Sequence, residues 1–303
     1  DDAQSNVKKI FNDQSFKQKL GKNISLSSAN SINIGRLIPQ VVYYFASYMQ
    51  LIEKGQIKLG DQVNFTVPTG NFGDVLAGYY AKQMGLPVKK FIVASNENNV
   101  LTKFFQTGVY DRNRPFLKTF APSMDIQISS NFERLLYYKS GEDTKYVKQL
   151  MDQLESSGKY QVKPEVLAEI QKDFYCGYST DEEIKQAIEK VYKKDNYLMD
   201  PHTAVGYKVM RDYQKQDSET PMILLSTASP YKFTHVVAEA ILKQKIDNDF
   251  DAMQAIHEKT NLPIPKNLAE VWNLPVLHDD VIDKDKMEDY IQQKVEVDFY
   301  DKN

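Results

Sequence analysis

The run VNFTVPTGNFGDVLAGYYAKQMG, Val63 to Gly85, most narrows what this chain can fold into. An apolar stretch of strand character, QVNFTVP, passes through Gly70-Asn71-Phe72-Gly73 into a helix whose face is Val75, Leu76, Tyr79, Tyr80 and Met84, with Gly85 as its stop. A second buried strand, VKKFIVAS, follows, then the polar corner SNENN and a helix through Leu101, Phe104 and Phe105. Upstream, SLSSANSINIGRLIPQVVYYFASYMQLIEKG opens on a Ser/Asn cluster suited to capping. Ile34, Leu37, Ile38, Val41, Val42, Phe45 and Met49 then recur at helical spacing, which predicts one long, well-buried helix. Strands alternating with helices call for a parallel sheet with crossover helices, and ligands in such sheets sit at the carboxyl ends of the strands. The GNFG loop and the SNENN corner both fall there.

From about 140 to 197 the sequence turns charged and helix-periodic, without strand candidates, which predicts a helical excursion. A strand returns in PMILLSTASP, 221–230, followed by a helix over 232–245; the remainder, about 246–303, reads as mostly helical, with a Pro-containing connection at NLPIPKN. Residues 1–26 then form the end of a smaller domain or a linker helix, and 27–303 one large domain. The sequence opens without Met in what reads as mid-helix, so the expectation is a piece of something longer.

With 303 residues and 42% hydrophobic content the chain supports a full globular core. A formal net charge of −3 gives no footprint for a polyanion, so nucleic acid is not an expected partner. No apolar run is long enough to span a bilayer and the start lacks a basic-then-apolar secretory pattern, so no membrane role is expected. The lone cysteine, Cys176, rules out an intrachain disulfide framework and fits a reducing cytoplasm.

Glycines at 70 and 73 let the backbone turn its N–H groups toward one point, and a helix N-terminus carries partial positive charge, so the join suits a phosphate. A tight strand-to-helix turn needs the same glycines. Asp74 would repel a bound phosphate unless its carboxylate turns away to cap its own helix. No Gly-Lys-Ser/Thr ending is present, and the spacing differs from the dinucleotide fingerprint. In DPHTAVG, His202 could act as acid, base or donor, or belong to a helix-capping turn. Ser226, Thr227 and Ser229 follow a buried strand, facing a ligand or capping the next helix. His235, His257 and His278 have no partners at metal-ligand spacing, so no metal is expected.

Together SSANSINIGRLIPQ, VPTGNFGDVLAGYYAKQMGLP, SNENNVLTKFFQTG, APSMDIQISSNFERLLY, DPHTAVG and STASPYKF, spread from Ser27 to Phe233, resemble threonine synthase of the bacterial and fungal type. The resemblance implies an α/β, tryptophan-synthase-β-like (fold type II) architecture with pyridoxal 5'-phosphate as cofactor. It implies a lyase that converts O-phospho-L-homoserine and water to L-threonine and phosphate. Gly70, Asn71, Phe72 and Gly73 would hold the cofactor phosphate through their backbone, and Thr227 matches the hydroxyl residue placed by the pyridine nitrogen. Asn30, Ser31, Asn33, Arg36, Asn96 and Asn98 are candidate substrate-binding residues, and Arg36 could equally lie on the surface or between helices. The lysine that binds the cofactor covalently is expected upstream of Asp1, leaving this stretch inactive by itself. Lys17, in QSFKQKL, is set aside because its neighbours mark an exposed helix. A related phospholyase ending in a keto acid, or a noncatalytic module binding a phosphate ligand, are the alternatives.

Overall fold

The computed structural model describes residues 6–297, apart from 8, 12, 22 and 28–30. The chain divides into two units, Asn30–Ala269 and a smaller one made of Asp1–Ala29 with Glu270–Asn303.

In the larger unit, strands β1 (Val63–Pro68), β2 (Val88–Ser95), β5 (Phe174–Tyr178) and β6 (Met222–Leu224) form a parallel sheet in the order β5-β2-β1-β6. A short antiparallel ribbon joins β3 (Val109–Asp111) to β4 (Lys159–Gln161). Alternation along β2 builds both faces: Phe91 and Val93 enter one core with Tyr44, Phe65 and Phe72, while Ile92 and Ala94 enter the other with Ile188, Val205 and Val237. Helices α1 (Val41–Glu53), α2 (Gly73–Gln83), α3 (Val100–Thr107), α4 (Phe132–Lys139), α5 (Thr144–Ser157) and α6 (Pro164–Asp173) contribute to the first core. Helices α7 (Asp181–Asp195), α8 (Pro201–Tyr213), α9 (Thr234–Leu242) and α10 (Asp249–Thr260) contribute to the second. The result is a sheet covered on both faces, as parallel strands require.

Three features depart from expectation. The charged segment 140–197 contains β4 and, more consequentially, β5, which pairs with β2 from Phe91↔Phe174 to Ser95↔Tyr178. Flanking helices with strong charge periodicity mask DFYCGY, whose Phe174 and Cys176 alternate inward. The helix expected from Ile34 onward is interrupted: Ile34–Leu37 gives way to a 3-10 turn at Ile38–Gln40 before α1. Pro39 lacks the N–H that a continuous helix would use. That segment is also less buried than its apolar spacing suggests, with Ile34, Ile38, Val42 and Met49 exposed and Leu37, Tyr44 and Tyr48 in the core. Finally, residues 270–303 group with 1–29 rather than with the larger unit. In the smaller unit Met287, Ile291 and Val295, on helix Met287–Val295, pack against Ile10, Phe16 and Leu20. Among the described residues no helix is long and apolar enough to cross a membrane.

Candidate functional site

Because β1 and β6 run side by side with Thr66 opposite Leu224, the loops at their carboxyl ends emerge together. A cavity of about 640 Å³ opens there, lined by Gly70 and Asp74 after β1, by Leu225 to Ala228 after β6, and by His202 at the start of α8. Gln40, Tyr43 and Ser47 approach from α1 and the turn before it.

After Thr69, whose amide donates to the Ala94 carbonyl at 2.8 Å, the Gly70 and Asn71 carbonyls are tied down while the amides from Gly70 to Asp74 are open. Ser129 Oγ donates to the Gly70 carbonyl at 2.8 Å, and the Asn71 carbonyl accepts both from Asn131 N at 3.1 Å and from Asn131 Nδ2 at 2.9 Å. No described residue accepts from the N–H groups of Gly70, Asn71, Phe72, Gly73 or Asp74, and the α2 N-cap has no side-chain acceptor. Open amides at a helix start form an anion-binding arrangement.

Phe72 fixes this geometry. Its backbone is left-handed, at φ 61° and ψ 7°, which costs an aromatic residue on the order of 1–3 kcal/mol. The ring offsets that cost by anchoring in the core, 5.1 Å from Phe132, 6.0 Å from Phe174 and 6.5 Å from Phe105 between centroids. Gly70 is needed for a different reason: a Cβ there would lie 2.7 Å from the Ser123 carbonyl oxygen. At Gly73 the nearest atom would be 3.5 Å away, so that position leaves room for a methyl.

Asp74 does not cap α2. Tyr44 Oη donates to its carbonyl at 2.7 Å and to its carboxylate at 3.1 Å. Burial pushes the Asp74 carboxyl up to about 6, with the Tyr44 hydrogen bond opposing. Burial, reinforced by the Asp74 charge, pushes the Tyr44 phenol well above its ordinary value, so it stays a donor.

His202 has both ring nitrogens engaged. Nε2 accepts from Ser123 N at 3.1 Å, and since a backbone amide can only donate, the ring proton is on Nδ1, which donates to Asp200 Oδ1 at 3.0 Å. Asp200 also accepts from His202 N at 2.8 Å, Thr203 N at 3.3 Å and Thr203 Oγ1, completing the α8 cap. The imidazole therefore braces the Ser123 turn, whose carbonyl meets Gly70.

Comparison with known proteins gives this geometry a lineage. A family profile described as "Threonine synthase, C-terminal" matches residues 203–291. "Threonine synthase" of Schizosaccharomyces pombe is 40% identical over 307 residues, covering 89% of this chain and 58% of that protein. "Threonine synthase-like 1" of Macaca fascicularis is 40% identical over 299 residues, covering 97% of this chain and 38% of that protein. A PLP-bound threonine synthase from Brucella melitensis superposes with a TM-score of 0.76 at 38% identity, covering 96% of this chain and 57% of that one. The chain belongs to the threonine synthase family. Its parallel sheet with crossover helices is the fold-type-II architecture of that family's solved members. The chain spans roughly two fifths to three fifths of the length of these relatives.

Within this threonine synthase fold, the expected site residues separate. Gly70 and Thr227 reach the cavity, and Thr227 is exposed there. Asn71, Phe72 and Gly73 lie between two lining residues but do not themselves line the cavity, and the Phe72 side chain is in the core. Ser31 gives its carbonyl to Asn131 Nδ2 at 3.0 Å, behind the loop. Asn33 caps the helix Ile34–Leu37 through Gly35 N at 2.9 Å, and Arg36 is exposed and does not line the cavity. Asn30 lies outside the described residues. Asn96 and Asn98 both donate to Asp125 Oδ1, at 2.7 and 3.0 Å, and so secure the loop that carries Ser123. Lys17, in the helix Gln14–Lys19, belongs to the smaller unit. Cys176 is buried and burial pushes its thiol up to about 12, which leaves it unreactive. Ser129, Asn131, Tyr44 and Asp200, all without a role in the sequence reading, are the residues that shape the site. The signal for the first two was SSN immediately before a helix, which reads locally as a cap.

Proposed function

We propose that the protein is a pyridoxal-phosphate-dependent phospholyase that converts O-phospho-L-homoserine and water to L-threonine and phosphate in the cytoplasm. The observation that carries the reading is the loop Gly70 to Asp74, whose amides have no acceptor among the described residues and whose two ends line the same cavity as Thr227. Those amides fit a phosphate, and a Cβ at Gly70 would collide with the Ser123 turn behind them. In this reading Gly70, Asn71, Phe72 and Gly73 hold the cofactor phosphate and Thr227 meets the ring nitrogen. When bound, the cofactor supplies an electron sink for negative charge developing at the substrate's carbons. A hydroxyl supports a proton on the ring nitrogen less than a carboxylate would, which moderates that sink.

The chain's own groups then orient and exclude. Ser129 and Asn131 hold the loop carbonyls away from the phosphate, and Tyr44 restrains the Asp74 carboxylate. His202, with both nitrogens engaged, acts by bracing rather than by moving a proton. Since the chain spans only part of its relatives' length, the activity is assigned to the protein as a whole.

Titration with pyridoxal phosphate, followed by absorbance and by borohydride trapping, tests the cofactor assignment. Incubation of the full-length protein with O-phospho-L-homoserine tests the reaction, with phosphate and threonine expected in equal amounts. Phosphate with a keto acid in place of threonine would make it the related phospholyase. Phosphate-ligand binding without turnover would make it a noncatalytic module.

A further inference from the structure

Among the described residues lining the cavity, Lys232 is the one lysine or arginine. Its backbone is held on both sides. In the 3-10 turn Pro230–Lys232, Ser229 Oγ accepts from Tyr231 N at 3.3 Å and the Ser229 carbonyl accepts from Lys232 N at 3.1 Å. The buried Tyr231 donates its hydroxyl to the Leu262 carbonyl at 2.6 Å, and the Phe233 ring lies 4.6 Å from the His202 ring. The ammonium itself has no hydrogen bond or ion pair with any described residue, although Lys208 and Lys185, which border no such cavity, each meet two carboxylates.

Charge accounting gives that free ammonium a task. A phosphate monoester brings close to two negative charges into a cavity whose lining residues already include the acidic Asp74. Backbone amides supply only partial positive charge. We propose that Lys232 is the compensating cation for a phosphate group in this cavity and the residue that selects phosphorylated over unphosphorylated ligands, an inference that rests on the function proposed above. The phosphate belongs either to the cofactor or to the substrate, and the experiment separates the two.

Wild type, Lys232→Met and Lys232→Arg are titrated with pyridoxal phosphate, with pyridoxal, and with inorganic phosphate after saturation by pyridoxal phosphate. Denaturation midpoints are measured alongside to verify that each variant folds. Lys232→Met is expected to weaken one of the two phosphate-bearing ligands about tenfold, and Lys232→Arg to stay within about threefold of wild type. Loss confined to pyridoxal phosphate assigns the cofactor's phosphate; loss confined to inorganic phosphate assigns the substrate's. Pyridoxal should bind wild type and Lys232→Met alike. Unchanged affinity for both phosphate ligands in Lys232→Met overturns the inference while leaving the proposed function standing, as does an equal loss for pyridoxal. A borohydride-stable adduct mapped to Lys232 would replace the ionic role with a covalent one. Wild type that binds neither phosphate ligand removes the proposed function and this inference together.

Discussion

Two helices begin at the cavity wall, and they begin in opposite ways. At α8 the Asp200 side chain accepts from the His202 and Thr203 amides, from Thr203 Oγ1 and from the His202 ring, and all of these groups are buried. At α2 the N-cap is Phe72, whose side chain cannot accept a hydrogen bond and whose backbone is left-handed. One start is closed by its own sequence; the other is left open and held open by core packing. Under the proposed function, this helix start, which gives up a stabilising cap and takes on backbone strain beside a cavity, is where the phosphate completes the structure. The α8 start does the complementary work of keeping the Ser123 turn rigid against Gly70.

The sharpest way to break this contrast is at Phe72. Replacement by Ala should destabilise the protein by about 3–5 kcal/mol in urea unfolding, because the ring is fully buried among Phe105, Phe132 and Phe174. Phe72→Gly, which suits a left-handed backbone, should be more stable than Phe72→Ala by about 1 kcal/mol. A Gly variant no better than Ala would mean the strain is absent. At the closed start, Asp200→Ala should cost about 2–3 kcal/mol, since it removes a cap and leaves buried donors unpaired.

Asp74→Asn should act in the other direction. A carboxyl whose folded value is raised to about 6 binds its proton more tightly in the folded than in the unfolded chain, so ligand-free stability falls as pH rises from about 4 to about 6. The Asn variant lacks that fall, and above pH 6 it should be more stable than wild type by about 1–2 kcal/mol. Parallel stability–pH curves for the two proteins would refute the burial of this charge. The smallest effect belongs to Gly73→Ala, expected within about 0.5 kcal/mol of wild type, whereas Gly70→Ala, whose Cβ meets main chain, should cost about 1–3 kcal/mol.

Much of the open start was legible in the sequence, because glycines between an apolar run and a helix have few geometric uses. The strand pairing that sets Thr227 beside it was legible only as a class of fold. What escaped was non-local. Asn131 reaches the Asn71 carbonyl from sixty residues away, and Tyr44 reaches Asp74 from thirty. Neither spacing leaves a periodic trace. Asn96 and Asn98 were candidates through the family resemblance, and their bonds to Asp125, far along the chain, left no trace in the sequence. Strand β5 was hidden by the charge pattern of its neighbours, and α1 looked more buried than it is because apolar spacing reports a face without reporting what covers it.

The most direct measurement is amide NMR of the labelled protein during titration with inorganic phosphate and then with pyridoxal phosphate. The Gly70, Asn71, Gly73 and Asp74 amides should shift with a common saturation curve, while those of His202 and Thr203 at the closed start hold still. Shifts at the α8 amides with none at the α2 start would contradict the account.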